Sequence, residues 1–224
     1  MKELQLPSGN FLMFDEIGHT YRIGTEWGCA ERVPGLHEVL ERADIIDPPN
    51  PEAKPWMERG KRVHDAIEQW WNGTFDESST WAKSPERAYL DIYVDRFLEK
   101  FPEFTCPLTV EQLAGSEESW VATLPDQTHP GHRLLQIKTG HQRAKEHGPQ
   151  LVLEGLLAFP DAAHFEPYAL YIDPKVYADS GGFKLVHYED EPSMGIIKSL
   201  MLQRREVRSY RTTRRKPTRA FEQV

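Results

Sequence analysis

His64 lies four residues from both Gly60 and Glu68 in the run Gly60-Lys61-Arg62-Val63-His64-Asp65-Ala66-Ile67-Glu68. On a helix, that spacing aligns a glycine able to approach a neighbouring element, an imidazole and a carboxylate on one face. The same pair also fits a local His–Glu hydrogen bond on a solvated surface. In Leu134-Leu135-Gln136-Ile137-Lys138-Thr139-Gly140, the period of two in a strand sends Gln136 and Lys138 to one side and Leu135 and Ile137 to the other. A lysine so aimed could hold a phosphate or an attacking water, or simply face solvent. Asp126, after Pro125, comes ten positions before Gln136, so a hairpin would bring it near the Gln136 and Lys138 face. Glu111 falls midway along a predicted strand, and Gln150 opens a predicted helix after His147-Gly148-Pro149.

The elements that must position these groups follow from periodicity and turn chemistry. Phe11 to Phe14 and His19 to Ile23 are β-favouring runs separated by Asp15-Glu16-Ile17-Gly18, a hairpin over 11–23. A short helix is expected from Pro34 to Arg42. A longer one is expected from Glu52 to Trp71, with Trp56, Val63, Ile67, Trp70 and Trp71 inward and Asn72-Gly73 as its stop. Ser84 and Pro85 open a second long helix that reaches Lys100 and buries Ala88, Ile92 and Phe97, with Tyr89 and Tyr93 as further candidates. Three extended runs follow, Leu108 to Leu113, Trp120 to Leu124 and Arg133 to Thr139. The spacer Gln127-Thr128-His129-Pro130-Gly131-His132 reads as a turn that pairs the last two. A helix from Pro149 to Phe159, strands at Tyr168 to Ile172 and Phe183 to His187, and a helix from Pro192 to Val207 complete the order. That order predicts an α/β or α+β architecture with a central sheet built on the meander.

Composition sets the outer limits. The 224 residues suit one main domain, expected over 1–203, followed by a basic tail over 204–224. The formal charge of −8 argues against an all-over basic coat for nucleic acid, yet the tail carries +6 and leaves −14 for the rest. Cys29 and Cys106 are too few for a disulfide framework or a thiolate metal site, so any metal has oxygen and imidazole ligands. No window approaches the apolar length of a membrane helix, and Met1-Lys2-Glu3-Leu4-Gln5 is not followed by a signal-peptide pattern. A cytoplasmic protein with no membrane partner is the expectation.

In order and spacing these motifs resemble the PD-(D/E)XK nuclease superfamily, and within it the RecB-type exonuclease-like proteins of phages and prophages. The resemblance runs from Phe14-Asp15-Glu16 and His19-Thr20-Tyr21 through Val33-Pro34-Gly35-Leu36-His37-Glu38-Val39-Leu40 to Arg59-Gly60-Lys61-Arg62-Val63-His64-Asp65-Ala66-Ile67-Glu68. It continues with Glu111, Gln136-Ile137-Lys138-Thr139-Gly140 and His147-Gly148-Pro149-Gln150. The resemblance implies a restriction-endonuclease-like core, a central mixed sheet flanked by helices. It also implies Mg²⁺ or Mn²⁺ held by His64, Asp126, Gln136 and the Ile137 carbonyl, with Glu111 ordering the site. Lys138 would orient the attacking water, and Gln150 would bind the DNA backbone or brace the lysine. The implied activity is metal-dependent hydrolysis of DNA, as an exonuclease on linear DNA in phage recombination or end processing inside a bacterial host. DNA is the implied partner, with a phage recombination protein as a second.

Three positions depart from the family pattern. Gln136 stands where the family has Asp or Glu, so that oxygen donor carries no charge and metal affinity should fall. Families of this type usually read Gly-Thr-x-Asp where this chain has Ala122-Thr123-Leu124-Pro125-Asp126, which puts the acid one residue late and turns it to the opposite face unless a bulge re-aims it. Glu154 replaces the tyrosine usual four residues after the helix glutamine. Two readings follow: an active metal-dependent deoxyribonuclease, or a pseudonuclease that keeps the fold and serves as a DNA-binding or regulatory module. Under either one Arg204, Arg205, Arg208, Arg211, Arg214 and Arg215 could neutralise phosphates and make binding weaken with salt; the cluster equally fits a solubilising end.

Overall fold

Strand β9 (Arg133–Thr139) is buried on both sides, and the molecule is arranged around it. The computed structural model describes residues 1–47 and 50–188. The expected helix Pro192 to Val207, the basic tail, Pro48, Pro49 and the end of the 1–203 domain lie outside these residues. β9 pairs antiparallel with β8 (Gln127–His129) and parallel with β10 (Glu166–Ile172). With β11 (Phe183–His187) and β5 (Thr109–Val110) they form a mixed sheet in the order β11-β10-β9-β8-β5. Such a mixed sheet needs cover on both faces.

Helix α2 (Lys54–Trp71) supplies one cover. Val63 and Ile67 pack with Leu135 and Ile137 of β9, and Tyr93 and Phe97 join them. α2 stops as expected: Gly73 adopts φ +65, and the Gly73 and Thr74 N–H groups bond the Trp70 and Gln69 carbonyls, a Schellman motif. Trp56, expected inward, is 60% exposed, because the buried stripe begins only at Val63. The next helix starts at α3 (Arg87–Asp91), passes through a π-helical stretch Ile92–Phe97 and ends as α4 (Leu98–Lys100). It buries Tyr89, Leu90, Ile92, Tyr93, Phe97 and Leu98, while Ala88 is only half-buried. Ser84 makes no side-chain cap; residue Glu86 precedes the first turn.

Helix α5 (Ala144–Ala158) covers the other face, with Leu151 against Leu134, Ala169 and Tyr171. It begins five residues before the expected Pro149, which sits in its second turn and cannot donate a backbone hydrogen bond there. Helix α1 (Leu36–Arg42) falls within its expected span, and Leu36, Val39 and Leu40 pack against Val152, Leu153 and Leu157 of α5.

The 11–23 hairpin is present as β2 (Phe11–Asp15) and β3 (Thr20–Gly24), with β1 (Lys2–Gln5) and β4 (Glu31–Val33) added to make a four-stranded antiparallel sheet. Its inner face packs on Leu113 and Ala122.

The meander differs from expectation at its centre. The run Trp120 to Leu124 does not pair with β9; β7 (Val121–Thr123) pairs with β6 (Ala114–Ser116) in a separate ribbon. The spacer read as a turn contains the true partner, β8. Gln127, Thr128 and His129 are all buried: Gln127 bonds Tyr93 and His129, and Thr128 bonds Thr109. Polar residues that satisfy one another can form a buried strand. The turn shrinks to Pro130-Gly131-His132, with Gly131 and His132 at positive φ. Among the described residues no helix is long and apolar enough to cross a membrane.

Candidate metal centre

Gly60 brings α2 close to the sheet: a Cβ there would lie 3.2 Å from Thr139 Oγ1. One turn later, on the same face, His64 turns to the edge of β9 that β8 leaves uncovered. The carboxylate of Asp126 reaches that edge because the chain breaks at Leu124-Pro125-Asp126, between β7 and β8, and proline cannot continue a ladder. This break re-aims the acid, where a bulge within a continuous strand was the expected device. Asp126 Oδ2 accepts the Ile137 N–H at 2.6 Å, and Oδ1 lies 3.2 Å from His64 Nδ1. The N–H and C=O of a strand residue share an edge, so the Ile137 carbonyl opens toward the same place.

Glu111 completes a trio. It follows β5 instead of lying midway along a strand, adopts φ +48, and donates its N–H to the Asp126 carbonyl at 2.9 Å. Its Oε1 lies 3.6 Å from His64 Nδ1. One donor atom each from His64, Glu111 and Asp126 fall within 4.8 Å of one another. Glu68 also lines this pocket, held by Lys2 at 3.2 Å, and Lys2 donates to the Glu111 carbonyl at 2.8 Å. Lys2 carried no signal in the sequence, since nothing local marks which side chain of an edge strand reaches over a helix 66 residues away.

The electrostatics follow from two acids beside one imidazole. Burial pulls the His64 pKa down, but the Asp126 and Glu111 carboxylates outweigh it and push it up to about 10. Burial raises Glu111. In the absence of a cation, an imidazolium therefore neutralises part of the acid charge.

Gln136 and Lys138 point to the α5 side of β9, with Leu134. Lys138 Nζ donates to Gln136 Oε1 at 3.2 Å and to Gln150 Oε1 at 3.3 Å. Gln150, 6% exposed, donates through Nε2 to Glu154 Oε1 at 2.9 Å, which Thr123 Oγ1 also approaches at 3.5 Å. Of the expected site residues, the structure thus gathers His64, Glu111, Asp126 and Ile137 at one edge, and Gln136, Lys138 and Gln150 in a second cluster on the α5 face. Glu154 links their fields. Burial pushes its carboxyl up to about 7; the Lys138 ammonium opposes the rise, while the Asp126 and Glu111 charges add to it. The sequence marked position 154 only as a departure, although its i, i+4 spacing from Gln150 was the signal of a shared face.

No family model matches the chain, and no curated protein matches it. Among solved structures, an alkaline exonuclease (LHK-Exo) from Laribacter hongkongensis matches with 14% identity, over 80% of this chain and 91% of that one, at a TM-score of 0.43.

Proposed function

We propose that this chain is a metal-dependent DNA nuclease. The observation that carries the reading is the His64, Glu111 and Asp126 trio, whose donor atoms lie within 4.8 Å of one another at the open edge of β9. The donor set fits Mg²⁺ or Mn²⁺ through its two carboxylates, which supply the charged hard oxygens such ions prefer, while the imidazole favours a first-row transition ion such as Mn²⁺ over Mg²⁺. A bound ion of this kind supplies charge that lowers the pKa of a water and stabilises phosphate oxygens.

The chain's own groups do the rest. Asp126 is held in orientation by the Ile137 N–H, so its second oxygen stays aimed at His64. His64 would hold such an ion as the neutral imidazole, its proton released to solvent, because only neutral imidazole is a ligand. Glu111 is fixed by its backbone bond to Asp126 and by Lys2. Lys138 offers its ammonium to the substrate phosphate or to the attacking water, with Gln136 and Gln150 holding it. The finer reading, an exonuclease acting on linear DNA in phage recombination, rests on the motif resemblance in the sequence. The basic tail belongs to the same reading as a phosphate-binding element.

A specific observation favours a second reading: Gln136 is neutral, and the bonds of Lys138 run toward α5. On that reading the fold is a pseudonuclease that binds DNA without turnover. The test is degradation of linear duplex DNA with Mn²⁺ by the full chain, by Asp126→Asn and by Lys138→Ala. Cleavage by the wild type, lost by a factor of about 100 or more in both variants, supports the nuclease. DNA binding without cleavage supports the second reading. Cleavage that survives Asp126→Asn overturns the assignment of the trio.

A further inference from the structure

We propose that Glu154 is a positioning residue for Lys138: from helix α5 it supplies the negative charge that position 136 lacks, and passes its effect to the ammonium through the side-chain amide of Gln150. This deepens the nuclease reading and rests on it.

Burying this carboxyl is costly. Glu154 is 2% exposed, and its Oε2 is buried with no hydrogen-bond partner among the described residues. An acid so enclosed, with one oxygen unmet, is unfavourable unless its charge is used by something nearby. The cation that acts on it is Lys138, whose ammonium counters the effect of burial. Between them lies Gln150, one helical turn before Glu154 on the same face of α5, bonded to both.

A carboxylate only accepts hydrogen bonds, while an amide has a donating and an accepting end. Glu154 therefore dictates which end of Gln150 it meets: the NH₂ group must face the acid, and the oxygen is left facing Lys138. An amide reversed by half a turn would present NH₂ to the ammonium and oxygen to the carboxylate, repelled at both contacts. The charge of Glu154 thus polarises and orients the acceptor that holds Lys138. An acid at position 136 would face Lys138 directly from β9; here the charge stands on the facing helix, with one amide interposed.

The experiment, run at pH 8 so that Glu154 is ionised, is a double-mutant cycle with Glu154→Gln and Gln136→Glu, read by kcat and KM on duplex DNA at saturating Mn²⁺. It is accompanied by NMR of the Gln150 side-chain amide and the Lys138 ammonium in the metal-free protein. Glu154→Gln keeps the shape, and it is expected to lower kcat by about tenfold or more with KM changed less than about twofold. In the Gln136→Glu background the same change is expected to cost less than about twofold, because the charge now stands next to the lysine. In the spectra, Glu154→Gln is expected to move the Gln150 amide signals and to weaken the Lys138 ammonium signal together. An equal loss in both backgrounds, or a Lys138 signal unmoved while that of Gln150 shifts, overturns the proposal. If the wild type cleaves nothing, the nuclease reading fails, and the paired NMR response still decides whether Glu154 controls Lys138.

Discussion

Glu154 and His64 are ionisable groups whose surroundings push them in the same upward direction with opposite consequences for charge. His64 becomes an imidazolium because two carboxylates face it; Glu154 is raised to about 7 because burial outweighs the Lys138 ammonium, so it carries its negative charge only above that pH. A carboxyl whose pKa rises from 4.5 to about 7 on folding favours the folded state least when ionised. Below pH 4.5 it is protonated in both states; between 4.5 and 7 the unfolded chain has lost the proton and the native one retains it, so stability falls as pH rises, by up to about 3 kcal/mol in all. Urea unfolding of the wild type and Glu154→Gln at pH 4.5 and 8 is expected to show the variant gaining relative stability at the higher pH. A stability difference that does not change with pH would contradict the burial account. His64, Asp126, Lys138 and Gln150 were legible as polar positions with helix or strand spacing. Which of them would meet was not, because the register of β8 places Asp126 through contacts of Gln127 and His129 with Tyr93 and Phe104, far away in sequence.

Two helices clamp β9 from opposite faces, and a glycine in each permits a close contact, with β9 itself for α2 and with the residue before β10 for α5. Gly60 faces Thr139, and Gly155 of α5 lies against Phe165, where an added Cβ would come within 2.1 Å of the ring. Helix propensity alone would make Gly155→Ala favourable by about 0.5–1 kcal/mol. The ring contact reverses the sign, and the variant is expected to lose about 1–3 kcal/mol through overpacking, read as a lower urea midpoint. An unchanged or raised midpoint would show that α5 yields easily at this point. α1, α2 and the 11–23 hairpin were readable because periodicity and stop signals such as Asn72-Gly73 act locally. α5 was read short because Pro149 looked like a first-turn residue; packing of Leu151, Val152 and Leu153 holds the helix through it. β8 was missed for a related reason, since turn-forming residue types were satisfying one another inside the sheet.

For the molecule as a whole, the coarse order was visible in the sequence, with β1, β4 and β8 unread, and a mixed central sheet with helices on both faces is what the described residues form. The association of the N-terminal sheet with the site was not visible. Through β1 it delivers Lys2 to Glu68 and Glu111, so the first strand of the chain helps hold a pocket built mainly by residues 64–137. Charge is distributed unevenly at the same scale, with −14 over residues 1–203 and +6 over 204–224. An acidic body concentrates cations and repels phosphate, so the approach of a nucleic acid to the β9 edge depends on neutralising that edge first. On the proposed function, His64, Glu111 and Asp126 do so by holding a divalent ion. This is tested most directly by soaking crystals of the full chain in Mn²⁺ and measuring anomalous scattering at the manganese edge. The expected result is a single strong peak about 2 Å from donor atoms of Asp126 and His64; a map with no peak among these three residues at saturating Mn²⁺ would contradict the account.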